Sequence, residues 1–219
     1  MHTRIKICGI TQPQDIDVVV SAGVDAIGLV FYSRSPRFVD VQQAQLLVRQ
    51  LPPFVNIVGL FVNAEWTEIA AILDQIQLTY LQLHGDETPE TCALIRERSR
   101  LPVLRAARVT PALNLDQFAD SFVRQAGCSA ILLDAWSAHY GGTGKRFDWS
   151  LIPAHWLTGW RPKLILSGGL NADNVVPAIQ SIRPDAVDVS SGVENGIKGH
   201  KDADRIQAFV QAVRTADAV

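Results

Sequence analysis

The chain has 219 residues, 47% of them hydrophobic, and twenty basic residues against twenty-two acidic ones give a formal charge of -2. That is ample for one core and short for two, so a single domain over residues 1–219 is expected. The balanced charge argues against non-specific nucleic-acid binding. No stretch reaches the roughly 18 uncharged apolar residues of a membrane helix, so neither nucleic acid nor a membrane is expected as a partner. The opening MHTRIKICGI lacks a secretory pattern, and Cys8, Cys92 and Cys128 are too scattered for a disulfide framework or a zinc site. A cytoplasmic chain fits these features.

Short apolar runs recur along the whole chain, and the segments between them have helical periodicity. Arg4–Cys8 is followed by a helix predicted over Asp15–Ala22, Ala26–Phe31 by Asp40–Leu51, Asn56–Val62 by Glu65–Gln75, and Tyr80–His84 by Pro89–Arg98. Val103–Val109 precedes Leu113–Gln125, and Ala130–Asp134 precedes a less regular span whose best helix is Trp149–His155. Lys163–Ser167 leads to Asn174–Ser181, and Ala186–Ser190 to Asp202–Val213. The runs start 22 to 33 residues apart, room for one helix and two loops each, the content of a parallel crossover unit. Eight such units without a composition break predict an α/β fold, a (β/α)8 TIM barrel with a closed parallel sheet of eight strands. The first strand runs into Cys8-Gly9-Ile10 with no GxGxxG, which argues against an open dinucleotide-binding sheet.

Strand alternation then sorts the polar residues. Ile5 and Ile7 are predicted to face the helices and Lys6 and Cys8 the interior; Gln82, His84, Asp134, Asp188 and Ser190 are inward by the same count. They gather toward strand C-terminal ends, where barrel enzymes place their chemistry. Plainer readings stand beside this one: Cys8 as a small buried hydrophobe, Asp134 as a turn cap, His84 as a rim residue. The first and eighth strands become neighbours on closure, so Lys6 and Asp188 are expected to form an interior ion pair, either charge alone being costly to bury.

Ser167-Gly168-Gly169 follows the seventh run and Ser190-Ser191-Gly192 the eighth. Adjacent loops of small residues with free backbone N–H groups suit a phosphate, although each alone reads equally as a turn. No Walker sequence is present, so a small phosphorylated substrate is favoured over ATP. Gly141-Gly142-Thr143-Gly144-Lys145 follows the sixth run and reads either as a flap over the site or as a plain flexible loop. Ser33-Arg34-Ser35-Pro36-Arg37 sets two guanidinium groups near the same rim, either solvent-facing or able to grip a carboxylate bidentately.

KICGIT at 6–11, GLVFYSRSPRFV at 28–39, GLFVN at 59–63, QLHGDE at 82–87, LLD at 132–134, GGTGKRFDW at 141–149, SGGLNADNV at 167–175 and DVSSGVE at 188–194 occur in that order. With these motifs the chain resembles the phosphoribosylanthranilate isomerase family from Lys6 to about Phe209. The resemblance implies an Amadori rearrangement of N-(5-phosphoribosyl)anthranilate, with Cys8 as general base, Asp134 as general acid, and Arg37 on the anthranilate carboxylate. It implies a phosphate site at Gly168, Gly169, Ser190, Ser191 and Gly192, and a pocket lined by Gln82, His84 and Asp188; by the strand count and the glycine cluster, Lys6, Gly142, Thr143 and Gly144 are expected to line it too. Two departures stand out: LSGG where the family commonly has LAGG, and an extra Gly199-His200 before the KD pair.

That chemistry fits the residue types. Ring opening needs a proton on the furanose oxygen, so Asp134 must arrive protonated. Removing the C2 proton asks for a base, and a thiol with an ordinary pKa of about 8.5 is expected to reach its anion near neutrality. No net oxidation occurs, so neither cofactor nor metal is expected. The related barrel isomerase of histidine biosynthesis is disfavoured by Cys8 in place of aspartate and by the lack of a first-half glycine pair. The indole-glycerol-phosphate synthase class would want catalytic lysine and glutamate at strand ends, and a non-catalytic barrel could have lost the acid or the base. A closed sheet has no edge asking for a partner, so a monomer is expected with a homodimer left open.

Overall fold

The apolar runs pair in the order in which they occur, each parallel to the next, and the last returns to the first to close a barrel. A computed structural model describes residues 2–135, 147–157 and 161–218. The strands are β1 (Arg4–Cys8), β2 (Ala26–Val30), β3 (Asn56–Phe61), β4 (Tyr80–Leu83), β5 (Val103–Val109), β6 (Ala130–Ala135), β7 (Leu164–Leu166) and β8 (Ala186–Val189). The helices are α1 (Pro13–Ser21), α2 (Val41–Val48), α3 (Trp66–Leu73), α4 (Pro89–Ser99), α5 (Leu115–Ala119), α6 (Ala172–Ile182) and α7 (Ala203–Asp217). The fold is the expected (β/α)8 TIM barrel. Among the described residues no helix is long and apolar enough to cross a membrane.

Two predicted helices take other forms. Trp149–His155 becomes two 3-10 turns, Trp149–Leu151 and Ala154–Leu157. Pro153 lies between them, and the residue before a proline is pushed out of the helical region; Ile152 is accordingly extended at ψ 127°. Leu113–Gln125 begins as α5, capped by the Asn114 side chain, and widens into a π-helix over Asp120–Gln125. There the Ala126 N–H reaches back five residues to the Ser121 carbonyl.

Alternation along the strands divides the side chains into two cores. Ile5, Ile7, Ile27, Leu29, Leu81, Leu83, Ile131, Leu133, Val187 and Val189 join the layer between sheet and helices. The lower lumen is filled by Val58, Leu104, Ala106, Ala130, Leu132 and Ile165. Above it stand the buried polar residues Lys6, Gln82, His84, Asp134 and Asp188. The plug under them is therefore apolar, and the polar groups gather toward the C-terminal rim. At the opposite mouth a cavity of about 490 Å³ opens between the strand starts, with Phe54 fully exposed at its edge.

Closure sets Lys6 beside Asp188 in register. The chain ends meet on the same side: the Asp217 carboxylate accepts from the Thr3 backbone N–H at 2.9 Å and from its hydroxyl at 2.6 Å.

Candidate active site

Cys8 ends β1 with its side chain in the upper lumen, packed with Val30, Leu60 and Val62. Gly28 is its register partner on β2, and a Cβ there would stand 2.7 Å from the Cys8 sulfur. The missing side chain makes the room for the thiol. Gly9 follows with φ +73°, and the Arg37 stem lies over it so closely that a Cβ would sit 2.4 Å from Cδ. Only glycine meets both demands, and the turn holds Arg37 next to the cysteine.

Burial pushes the Cys8 thiol above its ordinary value. The charges of Lys6 and Lys201 pull the other way and that of Asp188 adds to the rise. The sequence reading put the thiolate within easy reach of neutrality; in the folded barrel desolvation outweighs the cations, and the resting group is a thiol.

Across the lumen the polar residues form one chain. Lys6 Nζ donates to Asp188 Oδ1 at 3.0 Å and to Gln82 Oε1 at 2.9 Å. Gln82 Nε2 lies 2.9 Å from His84 Nδ1, and His84 Nε2 lies 3.1 Å from Asp134 Oδ2. The Ala135 N–H completes the set by donating to Asp134 Oδ1 at 2.8 Å. The predicted Lys6–Asp188 ion pair is present, and it holds more than itself in place. Burial alone would pull Lys6 down, but the Asp188 carboxylate foremost raises it above its ordinary value, so the ammonium persists.

The cup expected to hold a phosphate is formed by the two last loops. Gly168 and Gly169 both take positive φ, +83° and +66°, and a Cβ on Gly168 would stand 3.1 Å from Asp134 Oδ1. Gly192 packs so tightly on the first loop that a Cβ would fall 1.9 Å from the Leu170 carbonyl oxygen. Ser190 follows β8, and Ser191–Val193 forms a single 3-10 turn. Asn171 caps α6, and Asn174 Nδ2 donates to the Gly169 carbonyl at 2.9 Å, tying the first loop to the helix start. A side chain at Gly168 would therefore crowd the Asp134 carboxylate. Gly142, Thr143 and Gly144, expected as a covering segment, lie outside the described residues.

Arg37 is placed differently from a free guanidinium. Its Nε and Nη2 grip Glu194 at 2.6 and 2.7 Å, so the side-on edge already holds a carboxylate of the chain itself. Glu194 also accepts from the Gly199 N–H at 3.0 Å and from Lys201 Nζ at 3.1 Å. Burial opposes its ionisation, yet the Arg37 bonds and the Lys201 charge hold the carboxyl down to about 2. Lys201 donates as well to the carbonyls of Cys8 at 2.7 Å and Ser190 at 3.2 Å. One ammonium therefore ties the end of β1, the end of β8 and the Arg37–Glu194 pair together.

Glu194 and Lys201 were missed by the sequence reading, although GVE and GHKD were both in view. A glutamate and a lysine in a loop look solvated, and only the turn through Gly199 brings them together. Arg105 was missed too. It points outward from β5 and donates to the carbonyls of Leu83 at 3.0 Å, Gly85 at 3.1 Å and Glu87 at 3.2 Å, pinning the loop that carries His84. An arginine on the helix-facing side of a strand is the one signal that pointed to it.

These features define a class: a (β/α)8 barrel whose buried polar side chains converge at its C-terminal rim, beside glycine-rich turns after its last two strands. The comparisons with known proteins narrow it. A family model described as N-(5'phosphoribosyl)anthranilate (PRA) isomerase matches residues 5–212. The N-(5'-phosphoribosyl)anthranilate isomerase of Ralstonia nicotianae is 54% identical over 222 residues, covering 99% of this chain and 95% of that protein. The crystal structure of phosphoribosyl anthranilate isomerase from Thermotoga maritima superposes with a TM-score of 0.84 at 43% identity, over 97% of this chain and 99% of that one. A further solved isomerase, in complex with reduced 1-(o-carboxyphenylamino)-1-deoxyribulose 5-phosphate, gives 0.81 at 40% identity over the same shares. The chain belongs to the phosphoribosylanthranilate isomerase family.

Proposed function

We propose that the chain converts N-(5'-phosphoribosyl)anthranilate into 1-(2-carboxyphenylamino)-1-deoxyribulose 5-phosphate, with Asp134 as proton donor and Cys8 as proton acceptor. The observation that carries the reading is that both groups face one lumen, from β6 and β1, with the glycine turn after β7 leaving no room for a side chain between it and the Asp134 carboxylate.

The steps follow from that placement. The phosphate seats on Gly168, Gly169, Ser190, Ser191 and Gly192, and the ring carboxylate meets the Nη1–Nη2 end of Arg37, whose other edge Glu194 holds. Asp134 gives its proton to the furanose oxygen as the C1–O bond breaks, and the anthranilate nitrogen supplies the pair that forms the iminium. The Cys8 thiolate then takes the proton from C2, leaving an enolamine. Protonation at C1 and loss of the O2 proton give the ketone, so no electrons leave the substrate. Clamping both ends keeps C1 and C2 between acid and base. Both clamps and both proton-handling groups come from one chain, so the chemistry asks for no macromolecular partner.

Anthranilate fluorescence tests this directly, because substrate emission decays on turnover and is unchanged in total by mere binding. Cys8→Ala and Asp134→Asn should each cut turnover by on the order of 10²- to 10⁴-fold, with little loss of affinity for a product-like phosphate. Unchanged turnover in either variant would remove that residue from its role.

A further inference from the structure

We propose that Gln82 fixes the ring tautomer of His84, so that the imidazole carries its proton on Nε2 and donates it as a hydrogen bond to Asp134. The pair positions the acid and does not touch the substrate. The proposal rests on the reading of Asp134 as the proton donor.

The argument starts at Lys6. An ammonium has three hydrogens and no lone pair, so the Gln82 atom 2.9 Å from Nζ must be the carbonyl oxygen. Asp188 holds Lys6 from the other side at 3.0 Å, which keeps that ammonium in place. The amide orientation follows: Nε2 of Gln82 faces His84 Nδ1 at 2.9 Å and donates to it. Nδ1 is then an acceptor, and a second ring proton there would point at an amide N–H. The ring proton is left on Nε2, which faces Asp134 Oδ2 at 3.1 Å.

With the Ala135 N–H on Oδ1 at 2.8 Å, each Asp134 oxygen receives one donor from a fixed atom. Both donors meet the charge that appears as the acid gives up its proton, and they strengthen as the step proceeds. They also fix the plane of the carboxyl. Gln82 has no lumenal exposure at all, so its amide has no solvent to turn toward.

The test uses full-length enzyme labelled with ¹⁵N in its imidazoles and a two-bond ¹H–¹⁵N correlation, with His84→Gln identifying the signals. The wild type should show a pyridine-type Nδ1 and a pyrrole-type Nε2. Gln82→Glu puts an acceptor against Nδ1; it should draw a proton there and lower kcat by on the order of 10- to 100-fold with KM little changed. Gln82→Met removes the donor and should leave the two tautomers exchanging. A wild-type proton on Nδ1 overturns the proposal, and so does a Gln82→Glu enzyme with unaltered tautomer and kcat. The wild-type spectrum decides even if neither variant folds. A wild type that fails to turn over phosphoribosylanthranilate sinks the isomerase reading instead, whereas the wrong tautomer in an active enzyme sinks only this one.

Discussion

To act as the proposed base, Cys8 has to lose a proton that its surroundings help it keep. Its folded pKa is raised, chiefly by burial, so the thiolate fraction at neutral pH is small and grows with every unit of pH up to that raised value. Turnover at low substrate is therefore expected to climb on the alkaline side of neutrality, read from kcat/KM between about pH 6 and pH 9; a flat profile would show that deprotonation of Cys8 is not limiting. Glu194 behaves in the opposite sense. Its folded value of about 2 lies below its ordinary 4.5, so its stabilising contribution is complete above pH 4.5 and is lost as the pH falls toward 2. Glu194→Gln should be less stable than the wild type in urea at pH 7, and the gap should narrow through that window. Arg37→Ala should weaken binding of carboxylated ring analogues; equal affinity of the intact protein for analogues with and without the carboxylate would remove Arg37 from that task.

Gly28 shows how an element can carry a functional constraint without a functional atom. A methyl on β2 would meet the Cys8 sulfur at 2.7 Å and Lys6 Cε at 3.1 Å. Gly28→Ala should therefore fold, as circular dichroism would show, and lose most of its turnover; retained activity would mean that the thiol has room to move. The strands were legible because each is a short apolar run with a period of two, and the inward set Lys6, Cys8, Gln82, His84, Asp134 and Asp188 followed from counting. What escaped was fixed by contacts distant in sequence. The break at Pro153 replaced one predicted helix, and the widened turn of Asp120–Gln125 replaced the second half of another. Arg37 was visible, but not the Glu194 that occupies its edge, since 157 residues separate them. The covering role expected of Gly142, Thr143 and Gly144 remains a sequence expectation.

At the scale of the molecule, the two mouths of the barrel differ in kind. The C-terminal one is polar and convergent. The other has a cavity of about 490 Å³ with Phe54 standing free beside it, against an expectation of a monomer drawn from the closed sheet. Any self-association is expected to use that face; sedimentation at rising concentration would reveal it, and Phe54→Glu should abolish it with turnover intact. Closure has a further consequence during synthesis. Lys6 leaves the ribosome 182 residues ahead of the aspartate that neutralises it. Before β8 emerges, packing β1 to β7 into a core would bury the Lys6 cation without its counterion, a cost that disfavours premature compaction. Competence is thus an event of chain completion, in which the last strand supplies the counterion on which the orientation of Gln82 depends.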